Sequence, residues 1–206
     1  MFITFEGIDS SGKTTQLQML AHWFGEQGLP YLVVREPGGT TISERIRDLL
    51  LDPMHDEMHQ VAELFLFSAA RAQLTREIII PSLKNGMTVL CDRYFDSTTV
   101  YQGNGRGIDL QAIHKINSLA TAATTPDVTF YIDISYDESQ RRKHAAQADT
   151  DRMERASQEF FKKVRDGYLA LAKEESERFI IIDGLQERNA IHAAIVQEIA
   201  LRMKEQ

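Results

Sequence analysis

Short apolar runs recur along the chain at Phe2–Glu6, Tyr31–Arg35, Met87–Asp92, Val128–Asp133 and Phe179–Asp183, each of strand length. Three of them are almost continuously apolar, the pattern of parallel strands buried on both faces. Between the runs, apolar positions spread to a helical period. Leu17, Leu20, Ala21 and Phe24 share one face of a helix that should end near Gly28-Leu29-Pro30. Ala62, Phe65, Leu66 and Ala69 mark another helix, and Pro81 is placed to start a short separate one. Leu110 to Ala123 reads as a further helix with Asp109 as its N-cap. Helices are also predicted at Tyr136–Ala146, Met153–Glu175 and Leu185–Lys204, the last two flanking the fifth strand. Alternating strands and helices predict an α/β fold with a parallel sheet and right-handed crossovers. No repeat, low-complexity stretch or Pro/Gly-rich linker interrupts residues 1–206, so one domain is expected.

Composition narrows this picture. With 206 residues, 43% hydrophobic and 26% charged, the chain has ordinary globular proportions. Its length lets it bury roughly 70% of its unfolded surface, enough to fold without disulfides or metal staples. The single cysteine, Cys91, cannot form an internal disulfide and sits where a strand should turn it into the core. Thirty acidic against 23 basic residues give a net charge of −7, which argues against a dedicated nucleic-acid binder. A local basic pocket for a phosphorylated small molecule stays compatible with that balance. The N-terminus lacks a basic segment before an apolar stretch, and no run approaches the ~20 apolar residues that span a bilayer. A cytoplasmic protein without nucleic-acid or membrane partners is the expectation.

Gly7-Ile8-Asp9-Ser10-Ser11-Gly12-Lys13-Thr14 fits G-x-x-x-x-G-K-[ST] at every position. It follows an apolar strand and opens a helix, the setting the motif needs. Backbone N–H groups of such a loop turn inward to phosphate oxygens, and the helix N-terminus adds its positive dipole end. Lys13 would reach the β- and γ-phosphates, and the Thr14 hydroxyl could ligate Mg²⁺. A glycine-containing turn that binds nothing is the plainer alternative, which the strand–loop–helix setting disfavours. The loop identifies a nucleotide site, not a reaction, since switches, motors and kinases all use it.

Three further groups bear on the reaction. Asp92 ends an apolar strand and Arg93 follows it, where open α/β sheets bind ligands. An aspartate there can hold Mg²⁺, or simply cap a turn. Arg141-Arg142-Lys143-His144, with Asp151-Arg152 beyond a polar stretch, reads as a lid over a transferring phosphoryl group or as a solvated helix face. Phe67 and Arg71 lie four residues apart on one helix face. They could stack and hydrogen-bond a nucleobase, or be a core ring beside a surface guanidinium.

The set Phe5-Glu6-Gly7, Gly12-Lys13-Thr14-Thr15, Arg35-Glu36-Pro37-Gly38-Gly39-Thr40, Asp92-Arg93-Tyr94 and Tyr101-Gln102-Gly103-Asn104-Gly105-Arg106-Gly107 resembles the bacterial thymidylate kinases. The likeness runs from Met1 past Glu154. It implies a five-stranded parallel sheet flanked by helices, with a short lid segment around residues 140–152. It also implies transfer of the γ-phosphate of ATP to dTMP, with Mg²⁺, by a homodimer. By the same resemblance Phe67 stacks on thymine, Arg71 meets a thymine carbonyl, and Thr98 and Gln102 make polar contacts to the base. Tyr101 would pack against the sugar where a ribose hydroxyl would clash, and Asp9 would face the acceptor's 3′-OH. Arg47 and Arg93 would hold the dTMP phosphate, and Glu36 would lie near the acceptor, through Mg²⁺ or water. Residues Gly7 to Thr14 would bind ATP, Thr14 and Asp92 the metal, and Lys13, Asp92, Arg93 and Arg142 would serve catalysis.

The P-loop departs from adenylate-kinase-like enzymes at Asp9 and Thr14-Thr15, and Ser10-Ser11 lacks the loop arginine of eukaryotic-type relatives. The bacterial type places arginines on its lid instead, often at alternate positions. Here the alternate positions after Arg142 are His144 and Ala146, which leaves Arg142 as the expected lid cation, Arg152 as a second match, and Arg141 or Lys143 as alternatives after a register shift. Gly103 to Gly107 should form a tight turn with glycines at positive φ rather than a dinucleotide fingerprint. The apolar face around Ala62–Leu66 is the expected dimer surface. A kinase for another nucleoside monophosphate or for a deoxynucleoside, and a nucleotide-dependent switch or ATPase that regulates a partner protein, are the rival readings.

Overall fold

The computed structural model describes residues 1–147 and 151–205, so Ala148, Asp149 and Thr150 of the expected lid lie outside the described residues. Strands β1 (Phe2–Glu6), β2 (Tyr31–Arg35), β3 (Thr88–Asp92), β4 (Val128–Asp133) and β5 (Phe179–Asp183) form one parallel sheet in the order β2-β3-β1-β4-β5. The runs expected to be strands are the strands, to within a residue. Apolar continuity follows position: central β1 is buried along its whole length, whereas edge β5 alternates and leaves Ile181 47% exposed.

Helices cover both faces. On one, α1 (Lys13–Glu26) and α9 (Arg188–Glu205) bring Leu17, Leu20, Phe24, Ile191, Ile195 and Ile199 against Ile3, Phe5 and Phe130. Each such side chain, fully buried, contributes about 1.5–3 kcal/mol. On the other, α8 (Gln158–Glu174) packs Phe160, Val164 and Tyr168 toward Tyr131. Further along that layer Leu74 and Ile79 meet Phe2, Val89 and Cys91. Cys91 is buried and unpaired, and burial pushes its thiol up, so it is packing rather than chemistry.

The remaining helices are α2 (Thr41–Leu51), α3 (Gln60–Leu74), α4 (Ile80–Lys84), α5 (Phe95–Thr98), α6 (Leu110–Thr121) and α7 (Tyr136–Ala146). Asp109 caps α6 as expected, its carboxylate accepting the Ala112 N–H at 3.0 Å. Four expectations are corrected. Helix α2 was not anticipated, although Thr40 caps it by accepting the Ser43 N–H at 3.1 Å. Pro81 does sit in the first turn of a short helix, α4, but that helix is not separate: α3 runs into it through a π-turn at Thr75–Ile79. The segment from Met153 is broken: a 3₁₀ turn spans Met153–Arg155, and Ser157 caps α8 by accepting the Phe160 N–H. Finally, Gly103 and Gly105 lie in a π-turn over Thr99–Gly105, and only Gly107 has positive φ, at 77°. The first two are glycine for space, since a Cβ would come within 2.6 Å of Leu110 and 2.5 Å of Phe160.

The stripe Ala62, Phe65 and Ala69 faces outward on α3, with Phe65 58% exposed, while Leu64, Ser68 and Arg71 face inward. No described helix is long and apolar enough to cross a membrane.

Candidate active site

Every strand ends on a charged residue at the same edge of the sheet: Glu6, Arg35, Asp92, Asp133 and Asp183. There the phosphate loop leaves β1. Gly7 permits the exit, because a Cβ would sit 2.7 Å from the Ile132 carbonyl oxygen on β4. Parallel pairing places Phe5 opposite Asp92, which brings β3's terminal carboxylate to the start of α1. The Thr14 hydroxyl donates to Asp92 Oδ2 at 2.5 Å. Hydroxyl and carboxylate are hard oxygen donors. That suits an ion such as Mg²⁺, which takes its other ligands from phosphates and water.

Two cavities open on either side of the loop. The larger, about 1170 Å³, is walled by Ser10 to Gln16 and closed by Arg142, Gly184, Gln186 and Arg188. Arg142 is fixed there: its guanidinium donates to the carbonyls of Ser11 at 3.1 Å and Gly184 at 2.7 Å, and to Glu138 at 2.6 Å. The other lid candidates divide. Arg141 is exposed and pairs with Glu138, while Lys143 is buried against Glu154 at 2.5 Å. Arg152, a second match for the lid cation, is buried instead, bonding Glu63 at 2.7 Å and the Leu50 carbonyl at 2.8 Å. Charge count alone could not separate a free cation from one spent in a buried pair.

The second cavity, about 600 Å³, gathers Asp9, Glu36, Arg47, Phe67 and Arg71 with Arg93, Thr98, Tyr101 and Gln102, all the residues expected at the acceptor. Pro37, Leu51, Ser97, Asp151 and Met153 complete its wall, none of them assigned to the acceptor from sequence. Arg93 has a left-handed backbone, φ 68°, unusual for a side chain with a Cβ and costing about 1–2 kcal/mol. Glu6 holds the loop in that shape. Its buried carboxylate accepts the Tyr94 N–H at 2.8 Å, the Ser97 hydroxyl at 2.6 Å and the Tyr168 hydroxyl at 2.7 Å. Burial raises the Glu6 pKa, with Arg93 pulling the other way.

Arg93 donates to Asp9 Oδ1 at 2.7 Å and lies over the Tyr101 ring, 5.3 Å from its centroid. Lys13 Nζ approaches the same Asp9 oxygen at 3.4 Å. Burial works against the Asp9 charge, but Arg93 and Lys13 together hold it well below the usual carboxylate range. Asp9 thus joins the cation of one cavity to the cation of the other.

Arg71 is 2% exposed, so it is neither free nor at the surface. It donates to Glu36 Oε2 at 2.6 Å and Thr98 Oγ1 at 2.8 Å. Burial raises Glu36 to about 7 against the pull of Arg71, and its other oxygen, Oε1, is buried with no partner. Glu36 therefore orients Arg71. The Tyr101 hydroxyl is likewise buried and unpartnered. Arg47 is half-buried and donates to the Pro37 carbonyl at 2.9 Å.

The arrangement can hold two anions across one loop, with paired cations aimed between them. The family model described as thymidylate kinase matches residues 5–195. A thymidylate kinase of Pelodictyon phaeoclathratiforme is 46% identical, covering 95% of this chain and 94% of its own. One from a Thermoanaerobacter strain is 46% identical, covering 96% of each. The crystal structure of thymidylate kinase from Ehrlichia chaffeensis superposes with a TM-score of 0.78 at 36% identity, covering 97% of this chain and 98% of that one.

Proposed function

The chain belongs to the thymidylate kinase family, and from that premise we propose how its two cavities divide the work. The enzyme transfers the γ-phosphate of ATP to dTMP, giving ADP and dTDP on the route to dTTP. In our reading residues 1–206 act as one kinase domain. An oxygen of the dTMP phosphate attacks the γ-phosphorus as the bond to the β–γ bridging oxygen breaks and ADP leaves. The acceptor phosphate is already ionised at neutral pH, so no general base is needed. Positioning and charge carry the rate.

Gly7 to Thr14 cradle the ATP phosphates, with Lys13 at the β- and γ-phosphates. Thr14 and Asp92 would hold Mg²⁺, which supplies charge neutralisation at the phosphate oxygens when bound. Arg93 and Arg47 aim the dTMP phosphate, Phe67 stacks on thymine, and Arg71, Thr98 and Gln102 meet its polar edge. Tyr101 closes on the sugar, and Asp9 faces its 3′-OH. Glu36 orients Arg71 through Oε2, and its unpartnered Oε1 is left for water or Mg²⁺ near the acceptor. The Arg142 contacts to Ser11 and Gly184 favour a role on the donor nucleotide's side, in place of the direct phosphoryl contact expected from its sequence position.

One observation carries this reading: every expected acceptor residue lines one cavity, and Asp9 links that cavity's Arg93 to the loop's Lys13. A homodimer is supported by unpartnered apolar residues on neighbouring helices, Val61 and Phe65 on α3 with Leu110 and Leu119 on α6. A cytoplasmic site of action fits the single reduced cysteine. Coupled ADP release with ATP and Mg²⁺ tests the assignment, using dTMP, dUMP, dCMP, the ribose form of TMP, or no acceptor. Strong dependence on dTMP with weaker turnover of the ribose form is expected. Release indifferent to acceptor would overturn it.

A further inference from the structure

Glu63 takes no part in the reading above, yet it is 1% exposed and lies at the meeting point of α3, the π-turn and the 3₁₀ turn. Its Oε1 accepts from Gln102 Nε2 at 2.9 Å and Arg106 Nε at 3.2 Å. Its Oε2 accepts from Arg106 at 3.1 Å and from Arg152 at 2.7 Å. Burial disfavours the charged form, but the two guanidiniums and the Gln102 amide hold the Glu63 pKa below its ordinary value.

A carboxylate in that setting can only accept hydrogen bonds. Gln102 must therefore turn its NH₂ toward Glu63, which leaves its carbonyl for the acceptor cavity that Gln102 lines. Among the described residues no donor bonds that carbonyl. On the same cavity Arg71 is a donor, and it occupies a lone pair of Thr98 Oγ1, which frees the Thr98 hydroxyl to donate. The wall thus offers donors beside one locked acceptor. A 4-oxo pyrimidine matches it, with a carbonyl for the donors and N3–H for the Gln102 oxygen. A 4-amino pyrimidine opposes donor to donor and lone pair to lone pair.

We propose that Glu63 is a positioning residue for base selectivity: it locks the Gln102 amide so that the cavity accepts N3–H pyrimidines and rejects cytosine. This rests on the reading that Gln102 meets the base. Arg106 and Arg152 serve the same end, since they keep Glu63 ionised.

The test compares kcat/KM for dUMP and dCMP, which both lack the thymine methyl group and differ at the N3/C4 edge. Their ratio on one preparation is independent of the folded fraction. Glu63→Gln can donate or accept, so it should release the amide and lower the dUMP:dCMP ratio by roughly tenfold or more, with the KM for ATP unmoved. Gln102→Leu should lower the ratio similarly, and the double variant should fall no further. A fall in Gln102→Leu with none in Glu63→Gln overturns the proposal and spares the base contact. No fall in Gln102→Leu removes the base contact itself, and the proposal with it. A second measurement reads the Gln102 amide in the wild-type protein. The Gln102 side-chain NH₂ signals, assigned by their loss in Gln102→Leu, should stay protected from exchange and shift little when dTMP binds. Fast exchange or a large shift would mean that the NH₂ faces the nucleotide, contrary to the proposal.

Discussion

The two cavities on either side of the phosphate loop are built from different materials. The donor side joins the phosphate loop, Ser10 to Gly12, to the first turn of α1, with the carbonyls of Ser11 and Gly184 tied by a single arginine. The acceptor side is a set of buried polar side chains in fixed pairs: Arg71 with Glu36 and Thr98, Arg93 with Asp9, and Gln102 with Glu63. Polyphosphate is charge and geometry, which a curled backbone and a helix terminus satisfy without many side chains. A pyrimidine edge is a pattern of donors and acceptors, and reading it requires side chains that cannot rotate. Pairing of this kind offsets desolvation and holds the side chains in one orientation.

That contrast can be broken at several points. Lys13→Ala should cut kcat by on the order of 10²–10³ while leaving dTMP affinity near wild type, as steady-state rates and dTMP titration will show. Arg71→Ala leaves Glu36 buried without its counter-charge and should cost about 3–5 kcal/mol at pH 8 in urea denaturation. Below pH 7 the loss should shrink, because Glu36 can then hold a proton. Glu36 itself gives a milder signature. Its folded pKa, about 7, is above its ordinary value of 4.5, so between these values the folded protein keeps a proton the unfolded chain has lost. Its contribution is fully present below about pH 4.5 and disappears as pH rises through 7. Glu36→Gln should flatten that part of the stability–pH curve. Smallest in its effect on turnover, Phe65→Glu should weaken self-association in sedimentation while leaving kcat within a few-fold, since Phe65 lies outside both cavities.

The same contrast explains what the sequence disclosed. The strands and the phosphate loop are contiguous signals, a run of apolar residues or a fixed spacing, and they appear where expected. Acceptor residues such as Phe67, Arg71 and Thr98 were placed by resemblance, and they do meet at one cavity. Their partners were missed. Glu6 lies about ninety residues from Tyr94 and Ser97, and Glu63 about forty from Gln102 and Arg106, separations that no periodicity reports. Arg152 misled for the same reason: a cation near a lid looks available until Glu63 and the Leu50 carbonyl are known to hold it. On α3 the outward Ala62, Phe65 and Ala69 are more apolar than the inward Leu64, Ser68 and Arg71, and sequence period cannot tell a core face from an unpartnered one. Helix α2 does carry a signal, Thr40 three residues before Ser43, but that same Thr40 closes the Arg35-Glu36-Pro37-Gly38-Gly39-Thr40 motif, whose proline and glycines read as a loop.

Binding calorimetry on two arginine variants tests the division most directly. Arg142→Ala should weaken a non-hydrolysable ATP analogue by roughly tenfold or more and leave dTMP unchanged. Arg47→Ala should do the reverse. If Arg142→Ala leaves both affinities intact and abolishes turnover, Arg142 acts on the transferring phosphoryl group, and the donor side is not the backbone-built site described above.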